Sequence, residues 1–218
     1  MPRDGTATRQ KILDSAHDLI LDQGYAATSL DEILSASDVT KGAFFHHFGS
    51  KEAMADALWQ QYLGGETQAF EDTFRRAERL TSDPLQQVLV TLGFFEEMYA
   101  DLAEPHPGCL LASFAYQNDL MTPTRKVESE EVFLVWRRAL GAKLRDAEAL
   151  HEPVTPLDHD AVADMLQLVF EGGFIMARVL DDAGLLVRYL RVLRSYIELA
   201  FGIASRIEPP VEAVARPN

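Results

Sequence analysis

The sequence is poor in several features that mark other classes of protein. Its 218 residues contain one cysteine, Cys109, so no internal disulfide can form and a reducing cytoplasm is the expected compartment. No apolar run approaches the roughly 18 residues that a membrane span needs. The first ten residues lack the apolar core of a signal peptide. We therefore expect a cytoplasmic globular protein with no membrane partner.

Positive charge is scarce as well, since the formal net charge is −14. A surface that binds nucleic acid is normally basic, so the total charge argues against such a partner. However, residues 1–51 carry five Lys or Arg against seven Asp or Glu, whereas residues 52–218 carry fifteen against twenty-seven. The acidity thus belongs mainly to the C-terminal part, and composition leaves DNA binding open without supporting it.

The motifs of common catalytic sites are also missing. The chain contains no glycine-rich phosphate loop, no Gly-x-Ser-x-Gly elbow and no His-Glu-x-x-His pair. We therefore expect no enzyme, no catalytic residues, no cofactor and no metal site. A helical enzyme with a site of another kind, and a purely structural helical dimer, remain as alternatives.

The sequence is rich in residues that form helices. Ala, Leu, Glu, Arg and Gln dominate, and proline, glycine and capping residues divide the chain into helical blocks. This pattern predicts an all-α fold of nine helices, followed by a disordered tail at 209–218. The expected helices span roughly 8–23, 29–36, 40–48, 51–80, 84–102, 109–118, 123–150, 158–181 and 185–205.

The two short helices form the most informative part of the pattern. Ser29 and Glu32 have the spacing of a capping box, and a turn at 36–38 precedes a second start at Thr40. Two short helices joined by a tight turn, after a longer helix, are typical of the three-helix DNA-binding unit. The helix from Thr40 to His47 would then be the recognition helix, with Lys41 able to reach a phosphate or a guanine edge.

Residues 24–59 resemble the signature of the TetR family of transcriptional repressors. The matching stretches are GYAATSLDEI at 24–33, VTKGAFFHHF at 39–48 and SKEA at 50–53. The resemblance implies backbone-phosphate contacts by one set of residues, namely Thr28, Thr40, His46, His47 and Lys51. It implies an approach to base edges by Lys41, Gly42 and Ala43. Phe45 departs from the pattern, because the family usually has a tyrosine there whose hydroxyl donates to a phosphate.

The resemblance also implies an architecture and a function. We expect a helix-turn-helix DNA-binding domain at 1–50 and a regulatory ligand-binding and dimerisation domain at 51–208. The protein would bind a palindromic double-stranded DNA operator as a homodimer, and a small, largely apolar effector would release it. Activation instead of repression remains open. The last two helices would pair with those of a second copy through apolar residues, namely Met165, Leu168, Val169, Ile175, Val179, Leu186, Leu190, Leu193, Ile197 and Phe201.

Aromatic and sulfur-containing residues crowd the middle helices. As a set they resemble the wall of an apolar cavity, although each could equally be ordinary core. The proposed ligand wall consists of Phe95, Met98, Tyr116, Trp136, Phe170 and Phe174, with Tyr116, Gln117 and Arg178 as polar handles.

Two smaller features each allow a functional and a purely structural interpretation. His46 and His47 could bind a metal, but adjacent helical residues do not share a face. Cys109 follows Gly108 near a helix start, which could lower its pKa and make it a redox sensor. A lone cysteine is more often a small buried apolar residue, and we favour that interpretation.

Overall fold

A computed structural model describes residues 5–117 and 120–203, and these residues form nine α-helices and no strand. The all-α expectation is therefore confirmed. The helices are α1 (Gly5–Gln23), α2 (Leu30–Ser37), α3 (Lys41–His47), α4 (Lys51–Glu78), α5 (Pro84–Ala100), α6 (Leu110–Ala115), α7 (Pro123–Leu150), α8 (His159–Leu180) and α9 (Leu185–Ala200). The expected tail at 209–218 lies outside the described residues. Within those described ranges, no helix combines the length and apolar character that crossing a bilayer requires.

Capping interactions define the helix-turn-helix. The Ser29 hydroxyl accepts from the Glu32 amide at 3.2 Å, and the Glu32 carboxylate accepts from the Ser29 amide at 2.7 Å. This is the capping box that the sequence predicts. Asp38 ends α2 with φ at 51°, a left-handed conformation that aspartate tolerates better than most residues. Thr40 then caps α3, because its hydroxyl accepts from the Ala43 amide.

The first hydrophobic core joins more of the chain than the expected domain at 1–50. It combines side chains from α1, α2 and α3 with Met54, Leu58 and Trp59 of α4 and with Leu110 and Phe114 of α6. The Trp59 and Phe114 rings stack with centroids 5.3 Å apart. The boundary between the two hydrophobic cores therefore does not lie at residue 50, because the first half of α4 packs against the helix-turn-helix.

The second core lies between the C-terminal half of α4 and helices α5, α7, α8 and α9. Helices α8 and α9 approach closely at Gly173. A Cβ there would lie 2.7 Å from Leu186 Cδ1, which is closer than real contacts allow. This core contains the aromatic residues that the sequence analysis singled out in α5, α7 and α8.

The side of α9 that the sequence analysis assigned to the dimer contact faces the protomer's own core. Five residues named for that contact are buried within the protomer, namely Leu186, Leu190, Leu193, Ile197 and Phe201. Because α9 is apolar on two sides, the sequence could not show which side faces the protomer's own core. The large exposed apolar residues of α8 and α9 are Met165, Leu168, Ile175, Met176, Val179, Leu180, Val192, Tyr196 and Leu199.

Candidate DNA interface and ligand cavity

Helix α3 has one buried and one exposed side. Phe44 is fully buried and Phe48, just after the helix, is nearly so, and both pack into the first core. Phe45 is 46% exposed, and Lys41 and His46 are exposed with it. The spacing of Phe44 and Phe48 by one helical turn therefore turns the intervening positions outward.

Lys51 begins α4 beside this surface. Its ammonium donates to the Tyr25 carbonyl at 2.7 Å and lies 4.0 Å from the centre of the Tyr25 ring. Partial burial lowers the pKa of Lys51 from its ordinary value. Lys51 thus has an internal role, because it joins the start of α4 to the segment between α1 and α2.

The structure brings most of the expected DNA-contact residues together but places one elsewhere. Thr40, Lys41, Gly42, Phe45 and His46 are exposed on or directly before α3. Ala43 and His47 of that helix are half-buried, as is Lys51 at the start of α4. Thr28 is fully buried, and its hydroxyl donates to the Gly24 carbonyl at 2.8 Å. Its side chain closes the turn after α1 and does not face the α3 surface. In the part of the chain that the structure describes, no group of three potential metal ligands is found near the two histidines or elsewhere.

A cavity of about 300 Å³ lies between α1, α4, α5, α7 and α8. Five of the six expected wall residues line it, namely Phe95, Met98, Trp136, Phe170 and Phe174. Tyr116 does not: it follows the last residue of α6 and is 83% exposed. The polar handles Gln117 and Arg178 also lie outside this wall.

The polar groups of the cavity are ones that the sequence analysis missed. Glu66 of α4 and Glu171 of α8 line it together with His17 of α1. Burial raises the pKa of both carboxyls, and the nearby charge of Glu171 raises that of Glu66 further. Nothing local in the sequence marks these residues, because they lie far apart in the chain and each resembles a solvated helix residue.

Cys109 also lines the cavity and caps α6. Its sulfur lies 3.1 Å from the Tyr62 hydroxyl and 3.5 Å from the Ala112 amide, which donates to it. Burial, with the negative charge of Glu171, raises the pKa of the thiol to about 12. The sequence analysis allowed that the start of α6 could lower the pKa of Cys109, and this is wrong. The cost of burying the thiolate outweighs the effect of the helix terminus.

Arg178 connects α8 to the end of α1. Its guanidinium donates to the carbonyls of Leu21 at 3.0 Å and Asp22 at 2.9 Å, and to that of Pro107 at 3.2 Å. The first two carbonyls belong to the last turn of α1, where helix carbonyls lack partners within the helix. One helix, α8, thus carries both cavity-wall residues and a contact to the helix-turn-helix unit.

Comparison with known proteins agrees with this architecture. The family model for bacterial regulatory proteins of the tetR family matches residues 12–58, and the model for the tetracyclin repressor-like C-terminal domain matches residues 84–193. The chain belongs to the TetR family. It is therefore a transcriptional regulator with a helix-turn-helix DNA-binding unit, and the fold and family expected from residues 24–59 are confirmed.

Individual TetR-family relatives match most of the chain at low identity. The transcriptional regulator AcuR of Cereibacter sphaeroides is 25% identical to this chain, in an alignment that spans 81% of this chain and 78% of AcuR. The HTH-type transcriptional repressor DhaR of a Mycobacterium species is 21% identical, in an alignment that spans 86% of this chain and 91% of DhaR. A TetR-family regulator from Agrobacterium tumefaciens has a similar crystal structure, with a TM-score of 0.71 and 26% identity over 88% of this chain and 98% of that one.

Proposed function

We propose that the protein binds a palindromic DNA operator as a homodimer and that a small molecule in the cavity releases it from this operator. The observation that carries the proposal is the two-sided packing of α3. Phe44 and Phe48 hold the helix to its core, while Lys41, Phe45 and His46 stay free to enter a major groove.

The proposed DNA contacts are those expected residues that lie at the α3 surface. Lys41, Gly42 and Ala43 begin the helix and would approach base edges. Four residues would contact phosphates, namely Thr40, His46, His47 and Lys51. Thr28 is not among them, because its hydroxyl is already bonded inside the fold. Phe45 would reach the same backbone without donating a hydrogen bond.

The proposed dimer surface is the exposed apolar face of α8 and α9, defined by the nine exposed residues given above. Leu168 and Val179 lie on it and are among its most exposed members. Apolar patches of this kind on adjacent helices commonly mark an interface between copies. Dimerisation would hold two α3 helices about 34–36 Å apart, which is one turn of DNA.

Leu168→Glu tests the dimer. A charge buried at the interface should convert the protein to a monomer in light scattering and abolish binding to a two-half-site operator. Leu150→Glu is the matched control, because Leu150 is equally exposed at the end of α7 and lies outside this face. A dimeric Leu168→Glu variant would show that this face is not the interface.

The contacts of α8 and α1 support a route from the cavity to the DNA-binding unit. Phe174 lines the cavity, and Arg178, one helical turn later, bonds to the end of α1. His17 of α1 itself lines the cavity. A ligand that favours a different position of α8 or α1 would shift the spacing of the two α3 helices, and DNA and ligand would weaken each other by the same factor.

The function is tested by selecting binding sites from a random duplex library and measuring affinity by quantitative gel shift. We expect a palindromic site with two half-sites, and Lys41→Ala should relax preference at one or two positions in each half-site. Compounds found by thermal shift should release this DNA from the wild type, and Phe170→Ala should weaken release more than it weakens DNA binding. A wild-type protein that binds all duplexes alike would contradict the proposal.

A further inference from the structure

The charged side chains that line the cavity are mainly acidic. Two carboxylates, Glu66 and Glu171, enter it from opposite helices, and its lining includes no Lys or Arg among the described residues. The nearest guanidinium on α8, that of Arg178, is engaged by α1 outside the wall. His106 lines the cavity, but burial lowers the pKa of its ring and so disfavours a positive charge there.

Few neighbouring groups stabilise the negative charge of these two carboxylates. Glu171 accepts a bond from the Cys109 thiol, a weak donor. Among the described residues, the neighbouring His17 is the group that favours the charged form of Glu66. Burial and the closeness of the second carboxyl both disfavour ionisation. A positive group between them would remove both penalties, because opposite charges attract strongly where water is excluded.

The rest of the wall suits the body of such a ligand. The rings of Phe70 and Trp136 stack with centroids 4.1 Å apart, and Phe95 and Phe170 meet edge to face nearby. Aromatic faces attract cations, most of all weakly hydrated ammonium groups with apolar substituents. The Trp136 ring lines the cavity, and its buried Nε1 finds no hydrogen-bond acceptor among the described residues.

From these observations we propose that the cavity takes a small organic cation, an amine or quaternary ammonium with an apolar body, whose charge lies between Glu66 and Glu171. The proposal rests on the proposed function, because it names the chemical class of the effector for that same cavity. It replaces the expectation of a largely apolar effector with one or two polar groups. A volume of about 300 Å³ is at the lower end for ligand sites and restricts the ligand to a small molecule.

Three probes of similar size separate charge from shape: phenyltrimethylammonium, its neutral isostere tert-butylbenzene, and benzoate. We expect titration calorimetry at pH 8 to show the cation binding about tenfold more tightly than the isostere. Benzoate should bind most weakly, since two carboxylates repel it. Equal or tighter binding of the isostere, or no saturable binding of the cation at millimolar concentration, would overturn the proposal.

The double variant Glu66→Gln/Glu171→Gln keeps the shape of the wall and removes its charge. It should bind the cation and the isostere equally, whereas Glu97→Gln, an exposed change on α5, should leave the preference intact. Because the double variant relieves repulsion in an empty cavity, it should fold at least as stably as the wild type, which thermal unfolding checks. A preference that survives the double variant would overturn the assignment.

Dependence on pH gives a second readout. The carboxyls have raised pKa values, so part of their population must lose a proton before the cation binds, and affinity should rise as pH increases through those values. The other titratable groups facing this site are His17, His106, Cys109, Tyr62 and Tyr99. Loss of charge from His106, whose pKa burial lowers, would act in the same direction. The rise should therefore persist in His17→Gln/His106→Gln and become much smaller in the double glutamine variant, and the opposite pattern would overturn the assignment.

Gel shifts separate this inference from the proposed function. Cation binding that depends on Glu66 and Glu171 but releases no DNA would leave the inference standing and refute the effector role. A neutral or anionic compound that releases DNA, with release lost in Phe170→Ala, would support the effector role and overturn the inference.

Discussion

Arg178→Met is expected to loosen the attachment of the helix-turn-helix unit. Helix α1 has no basic residue in its last turn, and the Arg178 guanidinium supplies both charge and hydrogen bonds to the carbonyls of Leu21 and Asp22. Methionine keeps an unbranched apolar stem but lacks the guanidinium and donates nothing, so these helix-end carbonyls would lose their partner. The packing of the stem is retained, which isolates the polar contact.

The size of the effect follows from the geometry. Two good bonds to helix-end carbonyls and a cation at a helix C-terminus, on a side chain that is half exposed, contribute about 1 to 3 kcal/mol. The melting temperature should fall by about 2 to 4 °C for each kcal/mol at this chain length, measured at equal protomer concentration. Hydrogen exchange should accelerate most at the Gly24 amide, which donates to the Ile20 carbonyl in the last turn of α1.

Arg138→Met is the matched control. Arg138 is exposed on α7 and pairs only with Glu131 of the same helix, so its loss should cost little. If the two variants melt alike and the Gly24 amide exchanges at the wild-type rate in both, the Arg178 contact does not hold α1 to α8. The route proposed from the cavity to DNA would then lose its main support.

Three further outcomes follow from the same structure. Lys51→Ala should weaken binding to all DNA sequences alike. It should also flatten the slope of log affinity against log salt by about two per dimer, since each phosphate contact adds roughly −0.9. An unchanged slope in gel shifts at three salt concentrations would show that Lys51 does not contact DNA. Phe45→Tyr should tighten DNA binding by about 0.5–1.5 kcal/mol per half-site with the slope unchanged, because the exposed ring has room for a hydroxyl that donates to phosphate; weaker binding would mean that this ring does not face the backbone. Cys109 should react with iodoacetamide at pH 8 at least about tenfold more slowly than the same cysteine in unfolded protein, because its raised pKa leaves little thiolate; equal rates by mass spectrometry would show an accessible, ionised thiol.

Local sequence was sufficient for the helix-turn-helix. Ser29 with Glu32, and Thr40 three residues before Ala43, encode helix starts through bonds that close within four residues. The left-handed turn at Asp38 and the division between buried Phe44 and exposed Phe45 depend on equally short intervals. Such features survive in any tertiary context that buries the helix, which is why they could be predicted.

The remaining details depended on how the helices are arranged. The sequence by itself determined the nine helices found in the described residues, most of their caps, the exposed face of α3 and most of the aromatic cavity wall. These features follow from periodicity and capping, which act within a few residues. Only the tertiary structure decided that Thr28 faces inward, that the named side of α9 is internal and that Tyr116 leaves the wall. It alone brought Glu66 and Glu171 to one cavity, where His17 joins them. Their meeting depends on the rotation and crossing of α1, α4 and α8, and a charged residue on a helix looks the same in sequence whether it faces water or a partner more than a hundred residues away.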